Sequence, residues 1–182
     1  MPHEQHSSGQ DVVIHKVRPF EEGRLELTSA GVGDDGRIAD VHTAYHDNLS
    51  PPLEWTRMLD AESFVLVIED PDAPKERPAI HWMIWNIPGV LTGLPQGVAP
   101  EPKLKDPAGA IQGHNDAGRV GYSGPKPEVG HGVHRYHFQL FALDKLLPMQ
   151  PSTSLPELLN ALKGNTIAKA ELIGTYEAPE LH

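Results

Sequence analysis

The chain contains no cysteine, which excludes disulfides, thiolate nucleophiles and cysteine-ligated metal centres. Long apolar runs are also missing. No stretch approaches the ~20 consecutive apolar residues that a membrane-crossing helix needs. Residues 1–13, MPHEQHSSGQDVV, hold no apolar core of the signal-peptide kind. Positive charge is scarce: 15 Lys+Arg stand against 25 Asp+Glu, for a formal net charge of −10. Without a basic stripe, nucleic acid is not an expected partner, and a strongly anionic membrane surface would repel the chain. These absences leave a soluble protein with the cytoplasm as its expected compartment.

What is abundant is punctuation. Eighteen prolines and 17 glycines in 182 residues favour short strands joined by shaped loops over long helices. The length suits one domain with a sizeable core. Residues 1–10 are polar and read as a flexible tail, leaving 11–182 as a single domain. DVVIHKV and RLELTSAGV read as short strands. SFVLVIE (Ser63 to Glu69) is a continuous apolar run rich in β-branched residues, the pattern of a strand buried on both faces. HWMIWNI and HRYHFQLFALD read as two more strands, and AKAELIGTYE as a shorter one. Residues 88–113 read as a long Pro/Gly-rich connection. Helical spacing appears in STSLPELLNALKGN, where Leu155, Leu158, Leu159 and Leu162 recur at i, i+3, i+4 and i+7. Ser154 and Glu157 form a capping-box pair, and Gly164 suits the end of the helix. The expected fold is mainly β, an antiparallel sandwich with one or two short helices near the C-terminus.

The chemistry gathers in DPDAPKERPAIHWMIWNIP, which sets a rigid acidic turn before a strand that opens on histidine. Such a turn is also a place for a cis peptide, at Pro71 or Pro74. In the later strand, His134, Tyr136, Phe138, Leu140 and Ala142 share one face, and Arg135, His137, Gln139, Phe141 and Leu143 the other. The same counting puts His81 on one face with Met83, Trp85 and Ile87. If the two strands are neighbours with the same end up, His81 and His134 meet at one rim of the sandwich. Asp70 and Asp72 would lie at its lip and Tyr136 one layer deeper. Two imidazoles, a phenol and backbone N–H groups from GYSGP would suit an oxyanion. Binding should then strengthen as pH falls and an imidazole charges, while neutral imidazoles still offer N–H donors at higher pH.

Two enzymatic readings compete. His131, His134 and His137 recur every three residues, but His134 and His137 face opposite ways on a strand and cannot converge on a metal. Ser123, in GYSGP, stands near His134 in this scheme and could support weak hydrolysis, though no G-x-S-x-G elbow is present. No catalytic residue, metal or cofactor is assigned, and a non-catalytic role is expected.

DPDAP, HWMIWNIP, GHNDAGRVGYSGPKP and GHGVHRYHFQLFALD, with NLSPPLEW upstream and ELIGTYE downstream, resemble the phosphatidylethanolamine-binding protein family. The nearest likeness is to its bacterial branch, the Raf-kinase-inhibitor-like YbhB/YbcL proteins. The likeness runs, in order, from about residue 18 to about residue 178. It implies a β-sandwich whose rim pocket takes a small anion or the phosphate of a phospholipid headgroup, phosphoethanolamine-like. By position it implies Asp70, Asp72, His81, Gly124, Pro125, His134 and Tyr136 as the binding residues. It also implies a second kind of role, inhibition of a partner kinase or protease through the pocket loops, and a possible homodimer.

Overall fold

The computed structural model describes residues 7–20 and 25–180. Its centre is strand β3 (Ser63–Asp70), in which every residue is buried. β3 lies inside a six-stranded antiparallel sheet, flanked by β4 (Ala79–Pro88) and β8 (His134–Leu143). β7 (Ala108–Gln112) and then β6 (Lys103–Lys105) extend the sheet beyond β4, and β9 (Thr166–Tyr176) closes the other edge. A second, three-stranded sheet consists of β1 (Leu27–Thr28), β2 (Leu53–Trp55) and β5 (Gly93–Leu94), in the order β1-β2-β5. The protein is therefore mainly β and antiparallel.

The unbroken apolar run of β3 follows from having two cores to fill. Phe64, Leu66 and Ile68 enter the core between the sheets, with Leu27, Leu53, Trp55 and Phe138. Val65 and Val67 enter a second core on the far face, with Phe141, Leu143, Leu158 and Leu162. Helix α1 (Leu155–Leu162) covers that far face. Its N-terminus carries the expected capping box, Ser154 with Glu157, and Gly164 just past its end has φ +81°, a conformation glycine adopts without steric cost. Only Leu158 and Leu162 of the leucine stripe are fully buried. Leu155 and Leu159 are half-buried because they wall a cavity.

Several elements differ from the sequence pattern. DVVIHKV forms two 3-10 turns (Gly9–Asp11 and Val13–Lys16). Val12, Val13, Ile14 and Val17 still bury, but buried side chains satisfy the backbone instead of a strand ladder: Val13 N–H donates to Glu69 Oε1 (2.8 Å) and Ile14 N–H to Gln139 Oε1 (2.8 Å). The flexible-tail assignment falls mostly on residues 1–6, outside the described residues. Ser7 Oγ donates to the Pro71 carbonyl (2.8 Å) and Ser8 caps the first 3-10 turn, so residues 7–10 are held. The connection after β4 contains β5, β6 and β7, strands too short to show through its prolines and glycines. Among the described residues the cis peptide is Asp106–Pro107, not one in the acidic turn. That turn is instead shaped by Asp70 Oδ1, which accepts the Asp72 N–H at 2.7 Å. Among the described residues, no helix is long and apolar enough to cross a membrane.

Helix α1 should owe its place to Leu158. Leu158→Ala should cost about 2–5 kcal/mol in urea unfolding, and Leu159→Ala distinctly less. Equal losses would mean that the helix is seated through its half-buried row.

Candidate anion-binding site

β4 and β8 both run antiparallel to β3, so their first residues emerge at the end where β3 stops. They are not neighbours. β3 lies between them and ends in Asp70. A cavity of about 310 Å³ opens there, lined by Asp70, His81, Ser123, Gly124, His134 and Tyr136, with Asp116, Lys126, Glu128 and His131 around them.

Simple alternation would have sent His81 away from this cavity. Met83 and Trp85, its expected companions, lie in the far core, while Trp82, Ile84 and Ile87 lie in the core between the sheets. The reason is a β-bulge. Ile68 pairs with Trp82 but Glu69 pairs with Ile80, leaving His81 as the extra residue. The bulge re-aims His81 towards Tyr136, with ring centroids 5.1 Å apart and nearly perpendicular. The His134 ring lies 6.4 Å from the Tyr136 ring. On β8 alternation holds, and His137 points away to Glu171 (3.1 Å).

Asp70 is 2% exposed and uses both oxygens: Oδ1 shapes its own turn, and Oδ2 meets His134 Nδ1 at 2.7 Å. That hydrogen bond raises the His134 pKa above the usual histidine value, against a smaller opposing effect of burial. His81 goes the other way, because burial lowers its pKa. Its Nδ1–H donates to the Ser123 carbonyl (2.6 Å), an acceptor only, which fixes the tautomer. Both rings thus spend Nδ1–H on the protein, and neither Nε2 has a partner among the described residues. Tyr136 has a strongly raised pKa, first through burial and then through Asp70, so its hydroxyl remains protonated. No described residue pairs with that hydroxyl.

The remaining predicted residues support the pocket from outside or behind. Asp72 does not line it. Asp72 clamps the start of β8 by accepting from Arg135 N–H (2.8 Å), Nε (2.9 Å) and Nη2 (2.9 Å). Burial pushes the Asp72 pKa up, but the bonds from Arg135 outweigh it and the net direction is down. Gly124 lines the cavity, yet its N–H is spent on Asn48 Oδ1 (2.7 Å), and a Cβ there would come within 2.2 Å of the His42 carbonyl. Close packing therefore demands this glycine. Pro125 has no N–H, does not line the cavity, and offers its carbonyl to Ala44 N–H (2.9 Å). Ser123 N–H is taken by the His81 carbonyl (2.9 Å). Of the expected cradle of backbone N–H groups from GYSGP, those of Gly121, Ser123 and Gly124 are thus consumed by the fold.

Asp116 is a lining residue that sequence reasoning missed. It accepts from Ile80 N–H (2.7 Å), and Arg77 grips it through both Nη atoms (3.1 and 3.0 Å). The signal was available in the span NDAG, where Asn115 Oδ1 accepts from Ala117 N–H and holds the turn beside it. Each carboxylate lining the pocket has a cationic or imidazole partner: Asp70 has His134, Asp116 has Arg77 and Lys75, and Glu128 has His131 at 3.3 Å. The negative charge is answered internally, which leaves donors to face the cavity.

The family model described as phosphatidylethanolamine-binding protein matches residues 28–177. A UPF0098 protein of Methanothermobacter thermautotrophicus is 42% identical over 153 residues, covering 84% of this chain and 98% of that protein. Among solved structures, Escherichia coli YbcL, described as a member of the mammalian PEBP family, superposes with a TM-score of 0.79 at 31% identity, covering 86% of this chain and all of that one. A phosphatidylethanolamine-binding protein homologue, CT736 of Chlamydia trachomatis, does so with a TM-score of 0.75 at 34% identity, covering 85% and 98%.

The raised pKa of His134 has a signed consequence. Its folded value lies above the unfolded one, so the stability contributed by the imidazolium charge beside Asp70 is fully present below about pH 6.5 and is lost as pH rises through the folded value, while the Nδ1–H bond itself remains. Asp70→Asn should lower the His134 midpoint in an NMR titration and remove that part of the stability difference between pH 6 and pH 8. An unmoved midpoint would show that Asp70 does not hold the proton.

Proposed function

The chain belongs to the phosphatidylethanolamine-binding protein family, and on that premise we propose that the rim pocket binds a phosphate-type anion without turning it over. The anion is either free or the phosphate of a phospholipid headgroup. The observation that carries this reading is the buried 2.7 Å pair of His134 with Asp70. It keeps a proton on Nδ1 and favours a second proton on Nε2, which then points a charge-assisted donor at the cavity. The Tyr136 hydroxyl supplies another donor beside it.

The fixed tautomers revise the expected pH behaviour. A neutral His81 or His134 carries its proton on Nδ1, so it turns a lone pair, not an N–H, towards the cavity. Anion binding then depends on imidazolium formation, and His134 is the ring whose surroundings favour it. His81, held neutral by burial, is an acceptor and suits an anion that retains one hydroxyl. A phosphate monoester or inorganic phosphate has such a hydroxyl in its more protonated form; sulfate and a phosphodiester headgroup do not.

Hydrolysis has less support. Ser123 Oγ makes no hydrogen bond to either histidine among the described residues, and His81 Nδ1 is engaged by the Ser123 carbonyl. A fluorophosphonate probe should leave Ser123 unlabelled; stoichiometric labelling would move the protein to the hydrolases.

Calorimetry with sulfate, inorganic phosphate and glycerophosphoethanolamine, from pH 5.5 to 8, tests the binding reading. Sulfate keeps its charge over this range and isolates the titration of the protein. Its affinity should fall steadily as pH rises through the His134 midpoint. His134→Ala should weaken all three ligands by roughly tenfold or more, and Tyr136→Phe by a smaller factor. Preference for inorganic phosphate identifies a free anion, and preference for glycerophosphoethanolamine identifies a headgroup. Binding that is flat with pH and indifferent to both substitutions would place any anion elsewhere.

A further inference from the structure

On the far face of the six-stranded sheet lies a second cavity of about 410 Å³, within the size range of small-molecule sites. Its walls are chiefly apolar, from Val13, Ile80, Met83, Leu155 and Leu159. β3 carries Glu69 into it. Glu69 directly precedes Asp70, and strand alternation sends the two carboxyls to opposite faces. Glu69 is 2% exposed. Its Oε1 accepts from Val13 N–H (2.8 Å) and from Gln139 Nε2 (3.0 Å). Its Oε2 has no partner among the described residues, although that atom is not sealed from solvent. Glu69 Oε2 is thus an acceptor open to a cavity whose other polar lining comes from Asp11, Lys16, Arg77, His114 and residues 152–154, and a ligand that displaces water from it must donate in its place.

Burial raises the Glu69 pKa, and Lys16 opposes this through space, but no cationic side chain is in contact with Glu69 among the described residues. Arg77 is committed to Asp116 on the other side of the β4 start, with both Nη atoms engaged. Lys16 is exposed at the rim, as is Asp11, which also lines the cavity. The overall charge of −10 further favours a positively charged visitor.

We propose that this cavity is a binding site for a small amine, with the protonated amino group on Glu69 Oε2 and the apolar body against Met83, Ile80, Leu155 and Leu159. The half-burial of Leu155 and Leu159 follows from the same arrangement, since they are the part of the helix stripe that a ligand would cover. The site opens on the other side of Ile80 from the histidine pocket, the one lining residue the two share, and does not depend on what that pocket binds.

Met83 supplies a local reporter. The full chain labelled with [¹³C-methyl]methionine is titrated with hexylamine, hexanol and hexanoate, and the Met83 methyl resonance is followed. Hexylamine should shift it saturably, while hexanol and hexanoate bind roughly tenfold or more weakly. Glu69→Gln keeps an acceptor for Val13 N–H but replaces the free oxygen with a donor. It should weaken hexylamine by roughly 10- to 100-fold. Leu159→Trp narrows the cavity with Glu69 intact and should also weaken hexylamine. If Glu69→Gln does not fold, the comparison of the three ligands and Leu159→Trp decide. Hexanoate binding as tightly as hexylamine, equal hexylamine binding by Glu69→Gln, or a Met83 methyl that does not respond would each overturn the proposal.

Discussion

The bond between Asp70 and His134 is the constraint around which one end of the sheet is arranged. It joins the last residue of β3 to the first of β8, with both side chains almost fully buried. Burial of a charged pair is costly, and apolar replacements of similar volume are often no less stable. Its place in the structure is better understood through geometry. Asp70 Oδ1 sets the turn that follows, and two residues later Asp72 clamps Arg135. Two acidic residues in one short turn thus hold two consecutive residues of β8. The two aspartates have distinct tasks: Asp70 orients the ring that faces the cavity, and Asp72 fixes the backbone from which that ring projects.

A second device sets the opposite wall. The bulge at His81 turns that side chain out of the far core, where Met83 and Trp85 remain. Trp82, next in the chain, is anchored through its Nε1–H to Gln112 Oε1 at 2.7 Å, which ties β4 to the end of β7. The bulge therefore rests on a pinned indole, and the imidazole before it is directed with little freedom. Hydrogen bonds to Asn48 Oδ1 and to the Ser123 carbonyl, and from Arg77, then occupy nearby groups that would otherwise compete for a ligand.

An acidic chain and the anion pocket proposed for it stand in a physical tension that the local pairing resolves. Long-range charge is screened within about 8–10 Å at ordinary ionic strength, whereas contacts inside a partly closed pocket are screened much less. The pairs of Asp70, Asp116 and Glu128 with neighbouring cationic or imidazole groups matter more there than the total charge. On the opposite face, Glu69 has no such cationic partner in contact among the described residues. Two consecutive carboxyls of one strand thus lead to opposite chemistries, one compensated by an imidazole and one left with an open lone pair.

The class of fold was legible in the residues because it follows from local periodicity. The double-sided burial of Ser63 to Glu69, the alternation of β8, and the cap and stripe of α1 each depend on near neighbours in the chain. The same is true of Tyr136, placed beside His134 by a two-residue step. Other features could not be read this way. DVVIHKV carries the composition of a strand, but its N–H groups found Glu69 and Gln139, partners more than fifty residues away. The face of His81 depended on a pairing shift between β3 and β4, and a one-residue shift reverses the side of every residue that follows. The donors of the pocket were likewise decided in three dimensions, since the N–H groups of Ser123 and Gly124 were available in the sequence but already used in the fold. Residue types and short spacings are set by the chain itself, whereas which polar groups remain free depends on every distant partner that reaches them first.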